Sequence, residues 1–418
     1  MPADQRQEVR IGRARCHRFP LARDGMAGPA ARRRSAWTMP GRTARRLIAI
    51  GAAASPPLVA RSPLCQWSPM TRPPNTPVYP VAAASDWKRM GRMSLPDRVR
   101  LFVRDRRYRK RTMSREGIRF DLVRRASTPS PGPQDVVLLC VCRDAERYIP
   151  SFLAHYRKLG VARFAFVDDK SGDATRALLD QPDVDLFESN VDYRATGGGL
   201  LWRDMLVEHY GRGRWYVSVD CDEYLVFPGC EARPLASFIA DLQGRRLKRA
   251  MAVMLDIYPD GPLRDAPSHR PAAAMPASLY PLFDGDGYDL ENGPTCLSVR
   301  GGPRQRMFGV RMRINKFPVI HMDRRSQFSG GATHGPFPLY RNFTAVQCVL
   351  LHYKFPADAV EEFRKIVSLG QHVGGSKFYK AILEHEAFGE EADLRYEASM
   401  RYGTSEDLVR HGFIQDLR

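Results

Sequence analysis

VVLLCVC, residues 136–142, is an unbroken apolar run of strand length, and the reading of the fold starts from it. A strand with one wet face alternates polar and apolar residues. This one does not, so it suits a strand buried on both faces, as in a parallel sheet covered by helices on either side. The flanking sequence continues the pattern. Tyr148, Phe152, Leu153, Tyr156 and Leu159 recur at helical spacing, with Gly160 as C-cap. VARFAFV (161–167) reads as a second strand ending in Asp168-Asp169, then residues 173–179 as a helix and 184–187 as a third strand. Residues 200–210 read as a helix stopped by Gly211, and WYVSV (215–219) as a fourth strand ending in Asp220-Cys221-Asp222-Glu223. Strands alternating with helices predict an α/β fold with a mainly parallel sheet. Its acidic residues gather at strand C-termini, where open α/β sheets bind ligands.

Outside this block the texture changes. After residue 250, Gly, Pro, Asp and aromatics dominate, with strand-like pieces at 251–255, 310–314 and 346–351 and helical patterning at 357–379 and 379–387. Long loops inside a compact domain are usually functional. The last 25 or so residues read as a helical tail. Towards the N-terminus the charge is lopsided. The chain of 418 residues has a formal net charge of +19, yet residues 1–134 hold 29 Lys and Arg against 8 Asp and Glu, and the remainder is slightly acidic. The basicity is therefore a property of the N-terminal third, and no specific nucleic-acid partner is expected of the rest. Residues 1–86, rich in Arg, Ala and Pro, read as a disordered extension or as the product of a start assigned too early, with Met90 or Met93 as alternatives. Residues 87–134 read as a basic helical segment and linker. Within it Leu95, Val99, Phe102, Val103 and Tyr108 recur at helical spacing among Arg and Lys, which suits a helix lying on anionic lipid and equally a solvated helix packed on the domain. The domain boundaries are thus expected at 135–380 for the α/β domain and 381–418 for the tail.

The eight cysteines form no CxxC pair, which argues against zinc and against a disulfide framework and favours a reducing cytosol. The apolar run 47–60 is short and broken by Pro56-Pro57, so no membrane-spanning helix is expected. The expected location is cytoplasmic, with peripheral contact on the inner face of the membrane.

The chemistry concentrates in Asp220-Cys221-Asp222. Two carboxylates one residue apart at the end of a buried strand reach one point when the chain turns, and hard cations such as Mg²⁺ or Mn²⁺ take oxygen ligands shared with substrate phosphates. The alternative is a plain acidic turn. Upstream, Asp168-Asp169-Lys170-Ser171-Gly172-Asp173 suits a nucleoside pocket, where a carboxylate accepts from ribose hydroxyls or a base N–H. Thr196-Gly197-Gly198-Gly199 feeds a helix carrying Arg203, a turn able to receive phosphate. His155 sits among apolar residues at helical spacing and reads as a packing histidine.

Cys142-Arg143-Asp144, Tyr148-Ile149, His155-Tyr156, Leu159-Gly160, residues 168–175 and residues 215–225 together resemble the family-2 glycosyltransferases of GT-A fold, in a bacterial branch with a V-D-x-D-E motif. The order Lys316-Phe317-Pro318, Thr333-His334 and Leu350-Leu351-His352-Tyr353-Lys354 resembles the same branch. The resemblance implies a Rossmann-type sheet, a nucleotide-diphosphate donor such as a UDP-sugar, a glycan or lipid-linked acceptor, and Mn²⁺ or Mg²⁺. It also implies roles. Arg143, Asp144, Asp168 and Asp169 would border the nucleoside, and Gly198 and Arg203 the nucleotide. Asp220 and Asp222 would hold the metal. From the residues themselves, His352 on its apolar run reads either as a further metal ligand or as a satisfied core imidazole, and Lys316, Lys354 or Arg304 either as neutralising the diphosphate or as surface charge. The base that inverting transfer needs is open among Asp256, Asp286, Asp289, Glu291 and His334, with Glu291 and His334 put forward. Two rivals stand beside this reading: a nucleotidyltransferase on a similar sheet, and a basic nucleic-acid-binding protein with an inactive transferase-like domain.

Overall fold

A computed structural model of the protein describes residues 78–109, 113–267, 276–370 and 375–418. All lie in the unit spanning Pro69–Arg418. In chain order the elements begin with α1 (Ala84–Trp87), α2 (Leu95–Arg109) and β1 (Phe120–Arg124). The alternation follows: β2 (Val137–Cys142), α3 (Ile149–Lys158), β3 (Arg163–Asp168), α4 (Thr175–Leu178), β4 (Val184–Ser189), α5 (Leu200–Tyr210) and β5 (Arg214–Ser218). Next come β6 (Glu223–Val226), α6 (Leu235–Gly244), β7 (Arg249–Asp256), β8 (Leu282–Asp284), β9 (Asp289–Asn292), β10 (Leu297–Arg300), α7 (Pro303–Phe308) and β11 (Asn315–Met322). The chain closes with β12 (Val346–His352), α8 (Ala359–Leu369), α9 (Lys377–Leu383), β13 (Ser399–Arg401) and α10 (Ser405–Arg410).

Nine of the described strands form one sheet in the order β1-β4-β3-β2-β5-β11-β7-β12-β6. β4, β3, β2 and β5 run parallel, the block read from the sequence. β7 and β12 are parallel to each other, while β1, β11 and β6 pair antiparallel to their neighbours. The fold is α/β, a large central sheet flanked by helices, consistent with the GT-A-like expectation. β2 shows why its sequence has no polar phase. Leu138, Cys140 and Cys142 enter one apolar cluster with Ile149, Phe152, Leu153 and Tyr156 of α3. Val137, Leu139 and Val141 enter another with Trp202, Leu206 and Val207 of α5.

Four expectations need correction. The segment expected to be one basic helix and a linker before residue 135 instead holds α2, a loop and β1, an edge strand paired to β4. β1 alternates half-buried and exposed residues, with Phe120 and Leu122 against the sheet's core, so a short charged sequence concealed a strand. The boundary expected at 86 also falls inside the fold. Tyr79, Val81, Trp87 and Met90 are buried, and the Tyr79 hydroxyl donates to the Phe413 carbonyl at 2.9 Å. The strand expected at 310–314 lies at 315–322. A proline normally argues against a central strand, but Pro318 is taken up where the pairing of β11 with β7 shifts between Lys316 and Val319. Finally, residues 381–418 are not a tail: Phe413, Ile414 and Leu417 are buried in the main core.

The expectations for residues 1–77, including the apolar run 47–60, lie outside the described residues. Cys140, Cys142, Cys221, Cys230, Cys296 and Cys348 are buried and unbridged. Among the described residues no helix is long and apolar enough to cross a membrane.

If the C-terminal segment is core, Phe413→Ala should cost about 3–5 kcal/mol in chemical denaturation. A loose tail would lose less than about 0.5 kcal/mol.

Candidate functional site

The site is written in strand register. β5 ends at Ser218 and the next strand, β6, lies beyond β11, β7 and β12 in the sheet, so residues 219–222 cross the ends of three strands. Asp220 and Asp222 are carried on this crossing. At its far end Glu223 of β6 stands opposite His352 of β12, and His352 pairs on its other side with Asp256 of β7. β11 supplies Lys316 next to its irregular pairing around Pro318, a position where bulges commonly re-aim a side chain toward an active site. Lys354 follows β12 by two residues.

Each carboxylate has a cation. Asp220 accepts from the Arg203 guanidinium at 2.6 Å and from Lys316 Nζ at 2.6 Å. Lys316 also pairs closely with Glu223. Asp222 accepts from Lys354 Nζ at 3.0 Å and lies 3.5 Å from His352 Nε2. His352 Nδ1 donates to Asp256 at 2.5 Å, and Asp256 in turn takes two hydrogen bonds from Arg304, at 2.6 and 2.9 Å. Burial works against ionised carboxyls, yet Lys316 and Arg203 hold Asp220 well below its ordinary value. Lys354 and His352 do the same for Asp222. Glu223 goes the other way: burial pushes it up, and the attraction of Lys316 is offset by its acidic neighbours. His352 is raised despite its burial, by Asp222 and Asp256.

Asp220, Asp222, Glu223, Lys316, His352 and Lys354 line a cleft of about 800 Å³ whose wall also includes Arg143, Asp144, Arg147, Asp169, Tyr193, Arg304, His334, Lys365 and Tyr379. Asp169, at the end of β3, has a buried Oδ1 without a hydrogen-bond partner, and Arg143 stands 3.9 Å from its carboxylate. Asp144 takes Lys365 at 2.7 Å and the Gly172 N–H at 2.7 Å. His334 Nδ1 donates to the Asn315 carbonyl at 2.6 Å, and burial, with Lys316 adding, lowers its imidazole to about 3.

The structure therefore brings Arg143, Asp144, Asp169, Asp220, Asp222, Lys316, His334, His352 and Lys354 to one cleft. It places four of the other expected residues elsewhere. Asp168 is buried under the β3 turn, bonded to the Ser171 N–H and to Arg176. Gly198 is outside the cleft wall, and the three glycines serve the turn. Gly199 at φ 74° is the demanding one, because a Cβ there would lie 2.9 Å from Arg203 Nη1 and 3.0 Å from Val141 Cγ2. Arg203 is only 1% exposed, and instead of lining the cleft it props Asp220 from beneath while bonding Ser218. Glu291, on β9, spends its carboxylate on Arg300 at 2.9 Å and is outside the wall. Of the remaining base candidates, Asp256 is taken by Arg304 and His352, Asp286 by the Tyr396 hydroxyl, and Asp289 faces Arg311. His155 packs as expected, its Nε2 donating to the Leu225 carbonyl at 2.9 Å. Cys221 turns away from its carboxylate neighbours, its sulfur 3.4 Å from that of Cys140.

Sequence reasoning missed Glu223 as a site residue, although it adjoins the acidic pair, and missed the acidic and basic face of α8. Glu361, Glu362 and Lys365 line the cleft from a helix whose pattern alone says only that it is amphipathic.

The donor chemistry fits a divalent cation. Asp222, Glu223 and His352 each offer a ligand atom, all within 4.8 Å of one another. The Asp256 bond fixes the His352 tautomer with Nε2 turned to Asp222, the outer-shell arrangement usual for metal-binding histidines. Asp220, expected in this set, faces Arg203 and Lys316 instead.

No family model and no curated protein matches the chain. Among solved structures it is similar to a crystal structure of S. aureus TarS, at 15% identity over 31% of this chain and 22% of that one, with a TM-score of 0.23. It is also similar to the crystal structure of S. aureus TarS 1–349, at 13% identity over 62% of this chain and 68% of that one, TM-score 0.27. The chain thus spans about a fifth of the first structure's length.

Asp169 offers a pH test. Burial pushes its carboxyl up to about 6 against the pull of Arg143. Between an ordinary value of about 4 and that point, the folded chain keeps a proton that the unfolded chain releases. Its contribution to stability is thus present at low pH and lost as pH rises through 6. Asp169→Asn should therefore raise the melting temperature by about 2–4 °C at pH 8 and leave it unchanged at pH 4. An equal effect at both pH values would contradict this.

Proposed function

We propose that the chain is a metal-assisted glycosyltransferase that moves a sugar, with inversion, from a nucleotide-diphosphate donor such as a UDP-sugar to a glycan or lipid-linked acceptor. What carries the reading is the convergence on one cleft of a buried, unpartnered carboxylate oxygen at the end of β3 with the carboxylate and lysine cluster on the β5–β6 crossing. The first suits the N–H or O–H of a nucleoside. The second suits a diphosphate with its cation.

In this reading Asp169 Oδ1 accepts from the nucleoside, and Arg143 and Asp144 border it. Asp222, Glu223 and His352 would hold Mn²⁺ or Mg²⁺, which when bound would supply positive charge to the departing diphosphate. Lys316 and Lys354 add fixed positive charge beside it. Each is already oriented by a carboxylate, so little reorganisation is needed as the bond to the sugar breaks. Arg203 positions Asp220, which in turn orients Lys316. On the acceptor side His334 is kept neutral, and with Nδ1–H committed to Asn315 its Nε2 is left as an acceptor toward the attacking hydroxyl.

The test is turnover of a panel of nucleotide sugars by the full chain with Mn²⁺. Asp222→Asn should lower kcat by on the order of 100-fold or more with the melting transition retained. Absence of turnover with every donor, or turnover indifferent to Asp222→Asn, would sink the proposal.

A further inference from the structure

α2 docks by one face only. Leu101 packs with Phe337 and Leu339, Asp105 accepts from the Leu339 N–H at 2.9 Å, and Arg104 donates to the Pro294 carbonyl at 2.7 Å. The opposite face carries Leu95, Val99, Phe102 and Val103, which are 75%, 56%, 62% and 58% exposed. They are four of the eight exposed large apolar residues among the described ones, so the patch is concentrated and not scattered. At 100° per residue they fall within an arc of roughly 100°. Exposed Arg98 lies on one side of that arc and exposed Arg100 and Arg107 on the other, with exposed Arg106 at its C-terminal end. Of the two acids of the helix, Asp105 is turned into the protein and Asp97 is bonded to Ser94 and Arg100. Tyr340, 45% exposed, sits on the turn against which α2 packs.

We infer that this face of α2 seats the protein on the surface of an anionic bilayer, with the apolar arc in the acyl boundary and the flanking arginines on lipid phosphates. An apolar stripe flanked by guanidinium groups matches an interface that is apolar below and anionic above, whereas a nucleic acid would leave the stripe wet. The helix is also tied to the cleft region. Arg104 and Arg313 line a common cavity of about 230 Å³, and Arg313 lines the large cleft as well. A bilayer at α2 would thus bring a lipid-linked substrate close to that cleft. The inference stands independently of the transferase proposal.

The experiment is co-sedimentation of the full chain with vesicles of phosphatidylcholine containing phosphatidylglycerol, and with pure phosphatidylcholine. The chain should bind the anionic vesicles. The exposed-site variant Leu95→Ser/Val99→Ser/Phe102→Ser should partition at least about tenfold more weakly, with an unchanged far-ultraviolet spectrum. Phe102→Trp, which removes no apolar surface, should shift its emission to the blue on anionic vesicles. Asp222→Asn should bind as the wild type does. The inference is overturned if the wild type ignores the vesicles, or if the triple variant binds within about twofold of wild type, which would assign adhesion to basic residues elsewhere. It is equally overturned if the Trp emission does not move, if the wild type binds RNA through this face in place of vesicles, or if the triple variant turns a self-associating wild type into a monomer.

Discussion

Carboxylates gathered at one end of a sheet, several of them out of water, must be neutralised, and much of the C-terminal half serves that requirement. Asp220, Asp222, Glu223 and Asp256 meet where β5, β6, β7 and β12 end or begin. Unpaired, the buried Glu223 and Asp256 would each cost several kcal/mol to ionise, and the more exposed Asp220 less. The chain answers with Arg203 from α5, Lys316 from β11, Arg304 from α7, and His352 and Lys354 from β12 and its continuation. β11 is inserted antiparallel between β5 and β7, and its irregular pairing around Pro318 sits beside the lysine shared by Asp220 and Glu223. Such an array is held ready: under the proposed function, a substrate diphosphate and its cation would exchange places with contacts already made.

The parallel block was legible in the sequence because its signals are local. A run such as 136–142 has no polar phase, and its helices have both spacing and glycine stops. The acidic strand ends were legible for the same reason. What escaped depends on pairing between distant segments. β1 is too short and charged to announce itself. Phe413 meets Tyr79 across the length of the domain, and Pro318 makes a central strand look like a loop. In the site, the separation of Asp220 from the set Asp222, Glu223 and His352 is decided by which strand Glu223 joins, a property of sheet order. Glu291 looked available because nothing in sequence discloses that Arg300 and Arg311 stand beside it.

The net charge acquires a narrower meaning. Among the described residues, the conspicuous basic surface is the arginine border of an exposed apolar helix face, while the charges of the cleft are largely matched pair by pair. If the cleft takes the polyanionic donor proposed above, it would need cations beyond its own, so affinity should depend on a divalent ion.

The central claim is most directly tested by calorimetric titration of the full chain with nucleoside diphosphates, with and without Mn²⁺. The account predicts that at least one nucleoside diphosphate binds, that binding weakens when Mn²⁺ is withdrawn, and that Asp169→Asn weakens it further. Heat-silent titrations for every nucleoside diphosphate, or binding that is the same with and without Mn²⁺ and in Asp169→Asn, would contradict it.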